Sequence, residues 1–445
     1  MPYEKGTRLP GESASKLGHL RVIQSEWVQE LIKEFEYTTS TPTDSSNTRW
    51  TAFDPLSAAP LPRVFAVDGS YATVSSTDYP RKQVSFIKTA LIRVDKTKLD
   101  KIDKENPHPL LLQDAMSDSA LYHATVLPLV NIKSKLGSNY DAVRHIIHDS
   151  MKVDQSGAYY ETLKWLAYSK WSTSPKNSPS FDCPHCEELV PGLPFDTDEG
   201  QCPNPKCKKP IFLSDMIGFH LDMVGDSARE SVSTAYMLVM ETLMLLTAIR
   251  FYWDSSDKSV VSNTLFIKDG PLALSSQYSK LVPSIRDFLE HSRACNRPIH
   301  VIGQEKTGAF AEHLASIVRF ASPQTQDDLP TYSVLSHRYV QQEVHRSGNR
   351  KNPYGMRTNW GEKVYLKIDP GTGMVLNVPT GNYNSEDESF PEVKDLIGFN
   401  RILATVPTLV SHKFEGALFP VELANGVASM SSYPSARVLQ LFAGF

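Results

Sequence analysis

The chain has 445 residues, 40% of them hydrophobic and 22% charged, with a formal net charge of −4 and a pI near 6.4. That length suits two or three compact units, and the apolar fraction supplies a substantial core, which excludes wholesale disorder. The charge balance excludes a basic nucleic-acid coat, so any DNA or RNA must be met by a local patch or held by a partner.

The N-terminal MPYEKGTRLPGES lacks the apolar core of a signal peptide. The longest apolar run, AYMLVMETLMLLTAI, is interrupted by Glu241 and shorter than a bilayer requires, so a soluble, cytoplasmic protein without a membrane span is expected. Residues 20–36 place Val22, Trp27, Leu31, Ile32 and Phe35 at helical spacing, and the Ser/Thr-rich YTTSTPTDSSNT that follows reads as a linker. RVFAV, from Arg63, fits a short buried strand that ends on Asp68 and turns at once through Gly69 and Ser70. VSFIKTALIRV (84–94) predicts a second strand, and 139–170 is helical until SPKNSPS breaks the pattern. A strong helix is predicted from Ser227 to about Tyr252. TLFIKD, a helix over 279–293, PIHVIG and a helix over 309–318 follow, an alternation that argues for a partly parallel α/β sheet. KVYLKIDPGTGMVLNVP reads as a hairpin turning at Asp369-Pro370-Gly371.

Four of the five cysteines fall close together, in CPHCEELVPGLPFDTDEGQCPNPKC. Cys183, Cys186, Cys202 and Cys207 form two close pairs across a Gly/Pro-rich loop, the ligand spacing of a zinc ribbon. Four thiolates close a tetrahedral shell around Zn²⁺, so this site is structural, with His185 a bystander. Cys295 lies apart and reads as a small buried or half-buried residue.

Two apolar strands end in Asp-Gly, at Asp68 and Asp269. Asp-Gly is a turn signal by itself, but strand ends in open α/β sheets are also where ligands bind. Between them, Glu241 sits on a helix that is apolar nearly all round and therefore buried. A buried carboxylate must be protonated, ion-paired or metal-bound. Glu230 is the rival acid, but Ser227-Ala228-Arg229-Glu230 spells a capping box that accounts for it. Three carboxylates from two strand ends and a buried helix can hold Mg²⁺ or Mn²⁺ through oxygen ligands, and a pair of such ions can hydrolyse a phosphodiester.

The order Asp-Gly-Ser on an early strand, Glu on a long helix and Asp-Gly-Pro-Leu on the next strand resembles the NurA nuclease family. The resemblance implies an RNase H-like fold, a mixed sheet flanked by helices, and DNA degradation with Mn²⁺ or Mg²⁺ held by Asp68, Glu241 and Asp269. It implies work beside HerA, a hexameric ATP-driven DNA translocase, as a homodimer, in DNA end processing (repair) or antiviral defence against phage. It also points to Lys306, in VIGQEKTGAF, as a point charge on the scissile phosphate. The family lacks a zinc ribbon, and near the C-terminus it has Ala-His where this chain has Asn425 in FPVELANGVA. Asn can hydrogen-bond a phosphate but cannot shuttle a proton. The expected organisation is an N-terminal helix and linker (1–60), a first part of the nuclease domain with a helical extension (61–180), the inserted zinc ribbon (181–215) and the rest of the nuclease domain (216–445).

HRSGNRKNPYGMRTNWG carries Arg346, Arg350, Lys351 and Arg357 interleaved with Tyr354 and Trp360, a pattern that can line a single-strand groove or form a solvated loop. HIIHD places His145 and His148 one helical turn apart, a spacing that can hold a metal and that more often serves packing. No G-x-x-x-x-G-K-[ST] phosphate loop is present, so any motor is a separate protein. The rival expectation is a non-catalytic DNA-binding or adaptor subunit of a translocase complex, in which the ribbon and basic loop make the contacts.

Overall fold

The computed structural model describes residues 22–34, 49–99, 102, 111, 120–174, 176–224, 227–318, 329–346, 354–369, 372–411, 416–430 and 435–445. The chain divides into two compact units, Met1–Ser45 and Ser46–Phe445. In the first, helix α1 (Glu26–Glu34) carries Glu26 in its first turn and Lys33 in its last, each charge opposing the helix dipole. None of its residues is buried, and the predicted stripe of Val22, Trp27 and Ile32 is exposed. Phe35 and the predicted linker lie outside the described residues.

The second unit is mixed α/β, built on a nine-stranded sheet. Its strands are β1 (Thr51–Ala52), β2 (Arg63–Ser75), β3 (Gln83–Asp95), β4 (Ala120–Val130), β5 (Thr264–Asp269), β6 (His300–Glu305), β7 (Thr331–Val334), β8 (Glu362–Asp369) and β9 (Thr372–Val378). They lie in the order β1-β7-β8-β9-β6-β5-β2-β3-β4. β5 runs parallel to both β2 and β6, and the flanking pairs are antiparallel. The parallel centre follows from the intervening helices, which return the chain to the same end of the sheet.

Side chains alternate across the strands and build a core on each face. Phe65, Val67, Phe266 and Val301 pack beneath α2 (Asn139–Val153), α3 (Ala158–Ala167), α4 (Glu230–Asp254) and α5 (Val282–Ala294). Val64, Ala66, Leu265, Ile267 and Ile302 face the other way, against α7 (Phe399–Thr405) and α8 (Phe419–Ala428). A third cluster seats α6 (Ala309–Ile317) on Tyr365 and Val375. By length and composition α4 could cross a membrane, longer than the interrupted run suggested, but 83% of its most apolar stretch is buried within this unit as a core helix.

Two sequence expectations need correction. β2 does not turn at Asp68; it continues to Ser75, with Asp68 opposite Ala90 and Gly69 opposite Thr89 in β3. Pairing with β5 is what stops there, its register ending at Lys268↔Val67. The Ser227–Glu230 capping box does not form, because Ser227 belongs to a short strand and α4 begins at Glu230 without a side-chain cap. Glu230 Oε1 instead accepts a 2.7 Å hydrogen bond from Thr73 Oγ1.

Candidate functional site

Asp68 and Asp269 belong to adjacent strands at the point where β2 leaves β5. Alternation puts Asp68 on the face of Val64 and Ala66, and Asp269 on that of Leu265 and Ile267, so both open toward α8. Gly270 adopts φ 84°, a conformation that favours glycine, and turns the chain just past Asp269. Its N–H donates to the carbonyl of Gln304, at 2.8 Å. Gln304 is fully buried; its Nε2 donates to the Gly416 carbonyl and its Oε1 accepts from the Leu418 N–H, fixing the entry to α8 beside the acids. Lys306 follows β6 and reaches back, Nζ to Asp269 Oδ2 at 3.1 Å. Asp68 is only 7% exposed, and the Gly69 N–H donates to its Oδ1 at 2.7 Å. Burial, then the neighbouring Asp269 and Glu241, push its carboxyl up to about 7, opposed by the Gly69 N–H and Lys306. A carboxylate this reluctant to ionise lies in a site short of positive charge, a setting in which a hard divalent cation would be favoured.

Glu241 enters from the opposite face. Its helix α4 crosses β2 at Gly69, where an added Cβ would lie 2.7 Å from Glu241 Oε1 and 2.6 Å from Met237 Cγ. Oε2 is taken by Lys268, whose Nζ donates to it at 2.7 Å and to the Asp269 carbonyl at 2.9 Å, with both side chains almost fully buried. Burial raises the Glu241 carboxyl, while Lys268 pulls against that shift. Of the three outcomes open to a buried acid, this one is ion-paired. The three carboxylates influence one another electrostatically, yet among the described residues only the four cysteines gather ligand atoms within 4.8 Å of one another. Asp68, Asp269 and Glu241, as placed, do not gather into a three-carboxylate cage. Lys268 is the site residue that motif reading missed. It sits at the inward parity position of β5, alternating with buried Phe266, where a lysine demands an anion.

Cys183, Cys186, Cys202 and Cys207 do converge, and the cluster can bind a metal such as zinc. Two small hairpins present the pairs, Phe181–Asp182 with Leu189–Val190 and Glu199–Gln201 with Pro210–Phe212. The residue after each second cysteine, Glu187 and Lys208, has positive φ, which folds each knuckle back over its thiols. His185 Nε2 stands 3.1 Å from both Arg144 Nη1 and the Pro210 carbonyl, away from the thiol set. The ribbon is tied to the helical layer. Arg144 donates to both oxygens of Asp215 at 2.9 and 2.7 Å, and both residues are buried. Tyr140 donates to the Pro184 carbonyl, and Lys164 holds Asp196 and Asp198.

The remaining candidates separate. Asn425 is exposed on α8, whose end is held where Lys88 donates to the Val427 carbonyl. Arg346 and Arg357 are exposed, whereas Arg350 and Lys351 lie outside the described residues. Their expected aromatic partners are not available for stacking on bases: Trp360 is 2% exposed, and Tyr354 packs against Phe310 and His345. His148 is buried, stacked on Phe212, and burial lowers its imidazole to about 4; His145 packs edge-on against the same ring. That pair serves packing. Cys295, expected to be buried or half-buried, is exposed at the end of α5. Compared with known proteins, the chain matches no family model and no curated protein.

Proposed function

We propose that this protein is a divalent-metal-dependent DNA nuclease of the NurA kind, with an RNase H-like sheet and a structural zinc ribbon. In this reading it works as a homodimer beside a HerA-like hexameric ATP-driven translocase, in DNA end processing or defence against phage. The observation that carries the reading is the meeting of Asp68, Asp269 and Lys306 where β2 parts from β5, a place in open α/β sheets that receives ligands. Asp68 and Asp269 would hold Mn²⁺ or Mg²⁺, a group that would supply water activation and positive charge for the phosphodiester. Lys306, one-third exposed, swings from Asp269 to the scissile phosphate as a point charge. Asn425 and the exposed Arg346 and Arg357 guide the strand from outside the site.

The adaptor reading draws on one observation, the pairing of Glu241 with Lys268, which leaves that acid with a structural task. Degradation of linear single- and double-stranded DNA with Mn²⁺, with Mg²⁺ and without either, in the presence and absence of a HerA-like hexamer and ATP, separates the two. Metal-dependent cleavage that disappears in Asp269→Ala supports the nuclease. Absence of cleavage under every condition supports the adaptor.

A further inference from the structure

We infer that Lys268 is a built-in cation standing where a second divalent ion would otherwise be held, so that the site takes one ion, on Asp68 and Asp269. This inference rests on the nuclease reading and specifies how its site is charged.

The geometry is closed around Glu241. Oε2 accepts from Lys268 Nζ at 2.7 Å, and Oε1 faces the bare Cα of Gly69. Lys268 is itself held by the Asp269 carbonyl at 2.9 Å, so ammonium and acid pair share one backbone segment. For Glu241 to bind a metal through Oε2 it would have to leave an ammonium that is 1% exposed without its partner, and a buried unpaired charge is strongly disfavoured.

Charge points the same way. With all three acids ionised, as a bound cation would hold them, Asp68, Asp269 and Glu241 against Lys268 and Lys306 leave one net negative charge. One divalent ion makes it one positive, matching the single negative charge of a phosphodiester. A second would leave three positive charges facing that group. Lys268 is accordingly a positioning residue that fixes Glu241 and supplies fixed charge, sparing the site a second ion. Its side chain also forms part of the wall of an apolar cavity of about 300 Å³ with Leu238, Pro271 and Tyr278, which gives a glutamine at this position room to settle.

The test is Mn²⁺ stoichiometry, read by calorimetry and by the EPR signal of bound Mn²⁺ on the full-length, zinc-loaded chain. Wild type should bind one Mn²⁺ at the site, with a hyperbolic dependence of cleavage on Mn²⁺. Lys268→Gln frees Glu241 and should bind two, and the double variant Lys268→Gln/Glu241→Gln should return to one. Two Mn²⁺ on wild type, or one on Lys268→Gln, overturns the inference and leaves the nuclease reading standing. No Mn²⁺ on wild type overturns both. If Lys268→Gln does not fold, the wild-type stoichiometry still decides.

Discussion

Asp68→Asn removes a charge that the metal-free fold resists. The carboxyl moves from 3.8 to about 7 on folding, about three units, each worth about 1.4 kcal/mol, so ionised Asp68 weakens the metal-free protein by about 4 kcal/mol. The sign follows from proton binding. Well below the unfolded value of 3.8 both folded and unfolded forms are protonated and nothing is lost. Between about 4 and 7 the unfolded chain ionises first, so stability falls as pH rises and levels off above 7. Asparagine keeps an oxygen for the Gly69 N–H and carries no charge at any pH. In buffer free of Mg²⁺ and Mn²⁺, with zinc retained, Asp68→Asn should therefore melt higher than wild type at pH 8, by roughly 5 °C for a unit of this size. At pH 3 the two should melt together. Millimolar Mn²⁺ should reverse the order at pH 8, because only the carboxylate gains a ligand. A variant that melts no higher at pH 8, or gains equally at both pH values, refutes the reasoning.

Gly69→Ala would push a methyl group into Met237 and Glu241, and should cost about 1–3 kcal/mol in urea denaturation while loosening the Glu241–Lys268 pair. Lys306→Met removes a partly exposed ion pair, so its stability should change by less than about 1 kcal/mol. Its DNA cleavage rate should fall by about 100-fold, as expected for a lost phosphate-stabilising charge. Arg144→Met leaves Asp215 buried without its partner and should destabilise the helical layer under the ribbon by about 3–5 kcal/mol, read by hydrogen exchange over 181–215. Removing zinc with a chelator, or Cys202→Ser, should raise exchange over the same residues while the central strands stay protected.

What could be read from the sequence is what depends on neighbours along the chain. Asp269 was legible as a strand end because the glycine after it takes the positive φ that stops β5. The cysteine pairs declared their knuckles, and the all-round apolar pattern of α4 declared its burial, with Glu241 the exception. Contacts made at a distance were hidden. Gly69 looked like a turn residue, but it provides the clearance by which α4 crosses β2. Lys268 meets Glu241 across 27 residues, and Glu230 meets Thr73 across 157, pairings decided by sheet order and not by local pattern. Trp360 looked like a platform for bases only because the core it fills is assembled from α5 and the Leu272 segment, far away in sequence.

The most direct test compares wild type with Asp68→Ala at saturating Mn²⁺, measuring cleavage of linear DNA and DNA binding on the same samples. The proposal predicts that cleavage is abolished and binding retained. Asp68→Ala cleaving as fast as wild type would contradict it, because the acids at the parting of β2 and β5 would then hold no catalytic ion.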